Sequence, residues 1–218
     1  MIRKIAIIGG TGKEGKGLAY RWAKAGYEIL IGSRQIEKAI IAANEVNTLL
    51  GDGSIKVRGE ENLAAAKDGD IVVLTIPYEF HVQMLEQIKS ELIGKILINV
   101  TVPLVPPKVT KVQMPAAGSA AQEAKSVVDE TTEVVSAFQN ISYERLLSSK
   151  DVGCDVLVCG SSKEARGIVI ELVQKAGMVG YDAGPIENSV VVEGLTSILI
   201  GINKEFGVKT AGIKIVGI

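Results

Sequence analysis

Histidine occurs once and cysteine twice in the 218 residues of this chain. Ligand clusters need more partners than that, so no metal site or redox pair is expected. Cys154 and Cys159, in "CDVLVC", read as buried, inert thiols on a strand whose alternation sends their side chains to opposite faces. The lone histidine, His81, falls on the first turn of an expected helix with no carboxylate placed beside it by the sequence. It reads as a surface residue rather than a catalytic base. No nucleophile–base pair is assembled anywhere, so no catalytic side chain is assigned.

A dominant charge sign is also missing. The formal net charge is −1, with neither a basic stripe nor a long like-charge run, which argues against nucleic acid and against a charged membrane surface as partners. An anionic ligand must then be held locally. Charged residues interrupt every apolar stretch before it reaches the roughly 18 residues of a membrane span. Arg3 and Lys4 are followed at once by a glycine loop rather than by a secretory apolar region, so a cytoplasmic location is expected. Internal repeats and low-complexity segments are absent. What remains is a chain that is 47% hydrophobic, enough to bury the core of one domain or of one domain plus a small annex.

The apolar residues fall into an alternating pattern. "RKIAII" is a short run closed by glycine, which predicts a buried parallel strand, and "EGKGLAYRWAKAG" predicts a helix closed by Gly26. "YEILIGSR" follows as a second strand, with a helix from Gln35 to about Leu50 ended by "GDG". The order continues through a strand near "SIKVRG", a helix near "ENLAAAK", the strand "DIVVLTIP", a helix from Glu79 to Ser90 and the strand "KILINV". Such alternation specifies an α/β fold, a Rossmann-type doubly wound parallel sheet with helices on both faces.

From Thr101 the texture changes. "TVPLVPPKVTKVQMPAAGS" carries four of the six prolines and predicts a long connection that can line a site. A helix at "SAAQEAKSVVDE", strands at "EVVSAF" and "CDVLVCG", a helix at "KEARGIVIELVQKAG", a strand at "MVGYDAG" and an apolar helix from about Glu187 to Phe206 complete the chain. The expected division is a dinucleotide-binding domain over residues 1–133 and a smaller α/β part over 134–218, with a soft boundary. The last helix is apolar all round, which predicts either a central core element or the seam of a homodimer.

The segment "IIGGTGKEGKG" supplies the first functional signal. Gly10, Gly12 and Gly15 form G-x-G-x-x-G between a strand and a helix, the context in which the motif means dinucleotide binding. One glycine makes the tight turn, one lets the backbone approach a pyrophosphate, and one lets the helix pack on the strand. The first-turn N–H groups and the helix dipole then favour the phosphates. At the end of the second strand, where an NAD protein usually carries an acid for the ribose, the chain reads "GSR". Ser33 and Arg34, with Lys38 one helical turn beyond, suit a 2′-phosphate instead and predict NADP. "TIPYEFH" lies at the carboxyl edge of the sheet, where Ile76 and Pro77 can pack on the nicotinamide half.

Beyond these, "IIGGTGKEGKGLAYRWAKAGYEILIGSR", "VVLTIPYE", "PLVP", "VVSAF", "VCG" and "DAGPIENS", followed by "VEGLT" and "GIKI", closely resemble the F420-dependent NADP reductases in order and separation, almost end to end. The resemblance implies hydride transfer between reduced coenzyme F420, a 5-deazaflavin, and NADP, by cofactor positioning alone and in a homodimer. It implies that Thr11, Gly12, Lys13 and Glu14 wrap the pyrophosphate, that Ser33, Arg34 and Lys38 hold the 2′-phosphate, and that Ile76, Val102 and Tyr143 line the nicotinamide half. It further implies a deazaflavin flanked by Gln139, Ile141, Gly194, Thr196 and Ala211. Three departures from the family pattern stand out: Gln139 replaces a histidine, Ser161 and Ser162 replace an acidic run, and Ala211 replaces a leucine. Two other readings use the same domain, an NADPH-dependent reductase of a flavin, carbonyl or imine, and a non-catalytic NADP(H)-binding module.

Overall fold

The computed structural model describes residues 4–51, 57–148 and 151–218. The apolar runs become the strands of one sheet. In chain order, β1 (Lys4–Ile8), α1 (Lys13–Lys24), β2 (Glu28–Ser33), α2 (Ile36–Leu50), β3 (Val57–Glu61), α3 (Asn62–Asp68), β4 (Ile71–Leu74), α4 (His81–Ile88) and β5 (Ile96–Asn99) follow the expected alternation. Asp52 and Gly53 of the expected "GDG" terminator, and the 54–56 part of the expected third strand, lie outside the described residues. α4 is shorter than the expected helix, because 3₁₀ turns at Tyr78–Phe80 and Lys89–Leu92 replace its two ends.

The proline-rich stretch is irregular from 101 to 119. Then come α5 (Ala120–Val127), β6 (Glu133–Ser136), α6 (Tyr143–Leu146), β7 (Asp155–Gly160), α7 (Lys163–Lys175), β8 (Val179–Pro185) and α8 (Ser189–Phe206). The described strands form one eight-stranded sheet in the order β3-β2-β1-β4-β5-β6-β7-β8. It is continuous across residue 133, where β6 begins. Every pairing is parallel except β6–β7, so β7 and β8 run against the other six. Ser161 fastens this reversal: its hydroxyl accepts from Val134 N at 2.8 Å and donates to Val134 O at 2.9 Å. Ser162 caps α7 by accepting from Ala165 N. The two serines thus terminate one element and start the next.

Alternate residues of the central strands feed two cores. Ile5, Ile7, Ile29, Ile31 and Val73 face Leu18 and Trp22 of α1, with Val169 and Leu172 of α7 in the same cluster. Ala6, Ile8, Leu30, Val72 and Leu74 face α3, α4 and α5. This period-2 division of buried aliphatics between two layers is what a doubly wound sheet requires. Trp22 also donates its indole N–H to Leu172 O at 2.9 Å, binding the first helix to the C-terminal part.

α8 is not a central core element. Ser189, Val192, Glu193, Gly194 and Ser197 are buried, while Val191 is 64% and Phe206 70% exposed. Its start is locked to α5: the Glu193 carboxylate accepts from Ala120 N at 2.7 Å and Ala121 N at 3.0 Å, and Ser119 and Ser189 share a hydrogen bond of 2.6 Å. The glutamate of "VEGLT" therefore neutralises orphan N–H groups at a helix start. Burial nevertheless raises its pKa to about 7, against the opposing pull of those two backbone bonds.

Candidate functional site

The turn after β1 is held by Gly10, whose N–H reaches Ile7 O at 3.2 Å and Gly32 O at 3.1 Å. A side chain at Gly10 would lie 2.7 Å from Ile7 O, and one at Gly15 would lie 2.6 Å from the Gly10 Cα. Both positions are closed by the protein itself. Gly12 is different: the nearest heavy atom to a Cβ there would be Gly9 O at 4.0 Å, so the space is open and is kept free for something outside the chain. Gly12 is also the N-cap of α1, with no side chain capping it. The first-turn N–H groups of α1 consequently remain available to a bound anion. A fourth glycine that pattern reading missed, Gly9, has φ +69° and would collide with Ile76 if it carried a side chain. Its N–H donates to Asn62 Oδ1 at 3.2 Å.

The carboxyl ends of β1, β2, β4, β5 and β6 open onto three cavities. The first, about 320 Å³, is lined by Thr11, Ser33, Arg34, Lys38, Asn62, Ile76, Pro77, Phe80 and neighbours, with no acidic side chain among them. Arg34 precedes α2 rather than sharing its face with Lys38, but both reach the same cavity. The Arg34 guanidinium lies 5.3 Å from the centre of the Phe80 ring, and neither cation is in an ion pair among the described residues. Two cations and no acid give this cavity a positive lining, the chemistry that suits an anionic group.

The second cavity, about 410 Å³, has Ile76, Pro77, Val100, Val102 and Leu104 in its wall. Of the residues expected there, Ile76, Pro77 and Val102 line it, whereas Tyr143 stands in the third. That third cavity, about 430 Å³, is lined by Gln139, Ile141, Tyr143, Thr196 and Ala211, together with Phe138, Asn140, Leu199 and Lys209. Gly194 does not line it; a Cβ there would meet Val112 at 3.3 Å. Glu14 borders the second and third cavities, not the first. Lys13 lines none of the three; its ammonium donates to Tyr143 Oη at 3.1 Å and sits 4.7 Å from the ring centre.

Several bonds from distant segments set the third cavity. Phe138 has φ +74°, rare for a bulky side chain, and packs edge-on against Trp22. Such a conformation costs about 1–3 kcal/mol and persists only where surroundings enforce it. It turns the next residue inward. Gln139 Nε2 donates to Asn99 O at 2.7 Å and Ser136 Oγ at 2.8 Å, while its buried Oε1 has no partner. Asn140 Nδ2 donates to Val192 O and to Thr196 Oγ1, and Thr196 donates back to Gln139 O at 3.0 Å, tying the loop to α8. The tail carrying Ala211 is anchored by Asp155, which accepts from Ile215 N at 2.7 Å and Lys214 Nζ at 2.9 Å. Burial opposes the charge on Asp155, but these two donors outweigh it and lower its pKa.

α6 is clamped in turn. Arg21 donates to Leu146 O, Arg145 O and Ser148 O, and Arg145 donates to Thr210 O and Val152 O. A Cβ at Gly17 would lie 2.7 Å from Leu146, so this glycine of α1 admits α6 against it.

His81 overturns its expected surface position. It is fully buried, with ring nitrogens 3.0 Å from Glu123 Oε2 and 2.9 Å from Asn99 Oδ1. The carboxylate comes from α5, which no local reading could supply. Tyr78 donates to the other oxygen of Glu123 at 3.2 Å, so the network links the strand-end segment 78–81 to α5 and to β5. Both cysteines are buried as expected, and burial raises the Cys154 thiol and pushes that of Cys159 up to about 11, which suppresses the reactive thiolate.

A glycine turn opening a helix, an acid-free cationic pocket beside it and cavities at the carboxyl edge place the chain among the Rossmann-type dinucleotide-binding oxidoreductases. A family model described as NADP oxidoreductase coenzyme F420-dependent matches residues 4–103. The chain is 42% identical to the F420-dependent NADP reductase of Methanocaldococcus jannaschii, covering 97% of both chains. It is 38% identical to that of Methanothermobacter thermautotrophicus over 99% of this chain and 95% of the other. The structure of a candidate F420-dependent NADP reductase from Arthrobacter sp. fb24 superposes over 100% of both chains with a TM-score of 0.81 at 19% identity, a likeness of fold. The chain belongs to the F420-dependent NADP reductase family. Among the described residues no helix is long and apolar enough to cross a membrane.

Proposed function

We propose that this chain transfers hydride reversibly between reduced coenzyme F420 and NADP. The observation that carries the reading is the pair of adjoining cavities at the sheet's carboxyl edge, which share a wall of Val100, Val102 and Leu104. One such cavity suits a nicotinamide and the other a second flat ring. The residues fit both groups. Open space at Gly12 and an uncapped α1 accommodate a pyrophosphate, and Ser33, Arg34 and Lys38 accommodate the 2′-phosphate. Ile76, Pro77 and Val102 pack the nicotinamide half. The orphan Gln139 Oε1, buried in the third cavity's wall, is an acceptor waiting for a ring N–H. Ile141, Thr196 and Ala211 complete that wall.

The cofactors supply the hydride donor and acceptor, and the chain supplies orientation in a dry slot, a contribution of about 7–11 kcal/mol where two reactants are held in near-attack geometry. On this reading residues 1–133 hold NADP and residues 134–218 complete the deazaflavin cavity. The exposed apolar face of α8, with Val191, Ile198 and Phe206, is the seam of a homodimer; Phe206→Glu then yields monomers in sedimentation. The reading is tested by mixing NADPH with oxidised F420 under anaerobic conditions, beside FMN and NADH controls. Bleaching of the deazaflavin with NADPH is expected. Turnover of FMN or of an imine with none of F420 would replace the reading with a reductase of another acceptor.

A further inference from the structure

The second and third cavities meet at Glu14, the one carboxyl in a shared wall otherwise made of Val100, Val102 and Leu104. Its Oε1 is shut away from solvent without a hydrogen-bond partner. A carboxyl in the first turn of a dinucleotide-binding helix would ordinarily repel phosphate, but this one is turned from the first cavity toward the place where two rings would meet. Burial pushes it up to about 8, so at neutral pH it is mostly a carboxylic acid. The titratable groups around it are Tyr78 and Glu79 before α4, Tyr143 of α6, Lys209 of the tail, and Lys13 beside it on α1. Lys13 is already engaged by Tyr143.

We propose that Glu14 holds the proton of the reaction: it is a carboxylate while a cationic nicotinamide lies against the shared wall, and a carboxylic acid when that ring is neutral. The inference rests on the reading that these cavities take a nicotinamide and a deazaflavin. Hydride transfer places two electrons and one hydrogen nucleus on the nicotinamide, cancels its positive charge, and leaves the deazaflavin to shed one further proton. Glu14 binds that proton as its cationic neighbour disappears and returns it in the reverse direction. The sum of charge in the slot is unchanged, which matters most where little water is present to screen it.

The test is calorimetric titration of the protein with NADP⁺ and with NADPH, each in two buffers of different ionisation enthalpy, to count protons released on binding. Protons lost from the 2′-phosphate are common to both nucleotides and cancel in the difference. With the free carboxyl at about 8, NADP⁺ should release about 0.9 proton more than NADPH at pH 7. Glu14→Gln should bind both nucleotides and abolish the difference. Equal release in the wild type, or a difference that survives in Glu14→Gln, overturns the proposal and leaves the cofactor reading standing. Should the variant not fold, the wild type alone decides: the affinity for NADP⁺ relative to NADPH should fall about tenfold per pH unit below pH 8, and a flat ratio overturns the proposal. If neither nucleotide binds, the cofactor reading falls and this inference with it.

Discussion

The cavity around Arg34 takes its cations from a strand end, 33–38, beside the turn after β1, whereas the cavity around Gln139 collects residues 14, 100–104, 138–143, 196–203 and 209–211. The first offers two cations outside any ion pair among the described residues. The second is held by hydrogen bonds between distant segments and by one strained backbone angle. The difference teaches that one cavity takes its character from local charge, while the other takes it from where separate pieces of chain are brought to rest.

The largest expected effect breaks the charged side. Arg34→Glu removes a charge-assisted bond and adds repulsion, so NADPH affinity should fall by about 100-fold or more while NADH affinity holds or rises, as measured by calorimetry. Next comes a pair of substitutions that separates ligand space from protein space. Gly15→Ala should destabilise the fold by about 1–3 kcal/mol, since its Cβ meets the Gly10 backbone at 2.6 Å. Gly12→Ala should leave the melting temperature nearly unchanged and still weaken NADPH binding, because its Cβ enters the open space.

On the assembled side, Thr196→Val deletes the bond to Gln139 O and one of the two acceptors of Asn140 Nδ2. It should cost about 1 kcal/mol of stability and weaken F420 binding with NADPH binding unaltered, read by separate titrations of the two cofactors. The smallest effect is a matter of pH. Because the folded Asp155 has a lowered pKa, its contribution is present above the ordinary aspartate value and is lost as pH falls through the folded one. Amide protection in the 209–218 tail, measured against the intrinsic exchange rate at each pH, should therefore fall at acid pH in the wild type, and Asp155→Asn should show that lower protection already at neutral pH.

Legibility followed the same division. The glycine spacing, "GSR" and the apolar runs through β5 are local patterns: the structure makes the first a tight turn into α1, sets Ser33 and Arg34 in one cavity and gathers the runs into one sheet. α6 was missed because the four residues of Tyr143–Leu146 are too few for a helical period to register; it exists because Arg21 and Arg145 hold its carbonyls and Gly17 admits it. The reversal at β6–β7 was missed because strand direction leaves no mark on an apolar run. His81 was misjudged because its partner, Glu123, lies 42 residues away. Glu14 and Lys13 sit at the start of α1, yet Glu14 borders the second and third cavities rather than the first and Lys13 bonds Tyr143, since each finds a neighbour that only the assembled fold offers.

By itself the sequence determined what depends on short spacing: strands and helices from hydrophobic period, a tight glycine turn between β1 and α1, and two cations in place of an acid after β2. Tertiary structure decided what depends on packing segments that are far apart in the chain: the wall shared by two cavities, the burial of His81 and Glu14, and the inward turn at Phe138. Period and spacing are properties of neighbours on a chain, while desolvation and hydrogen-bond partnership belong to neighbours in space.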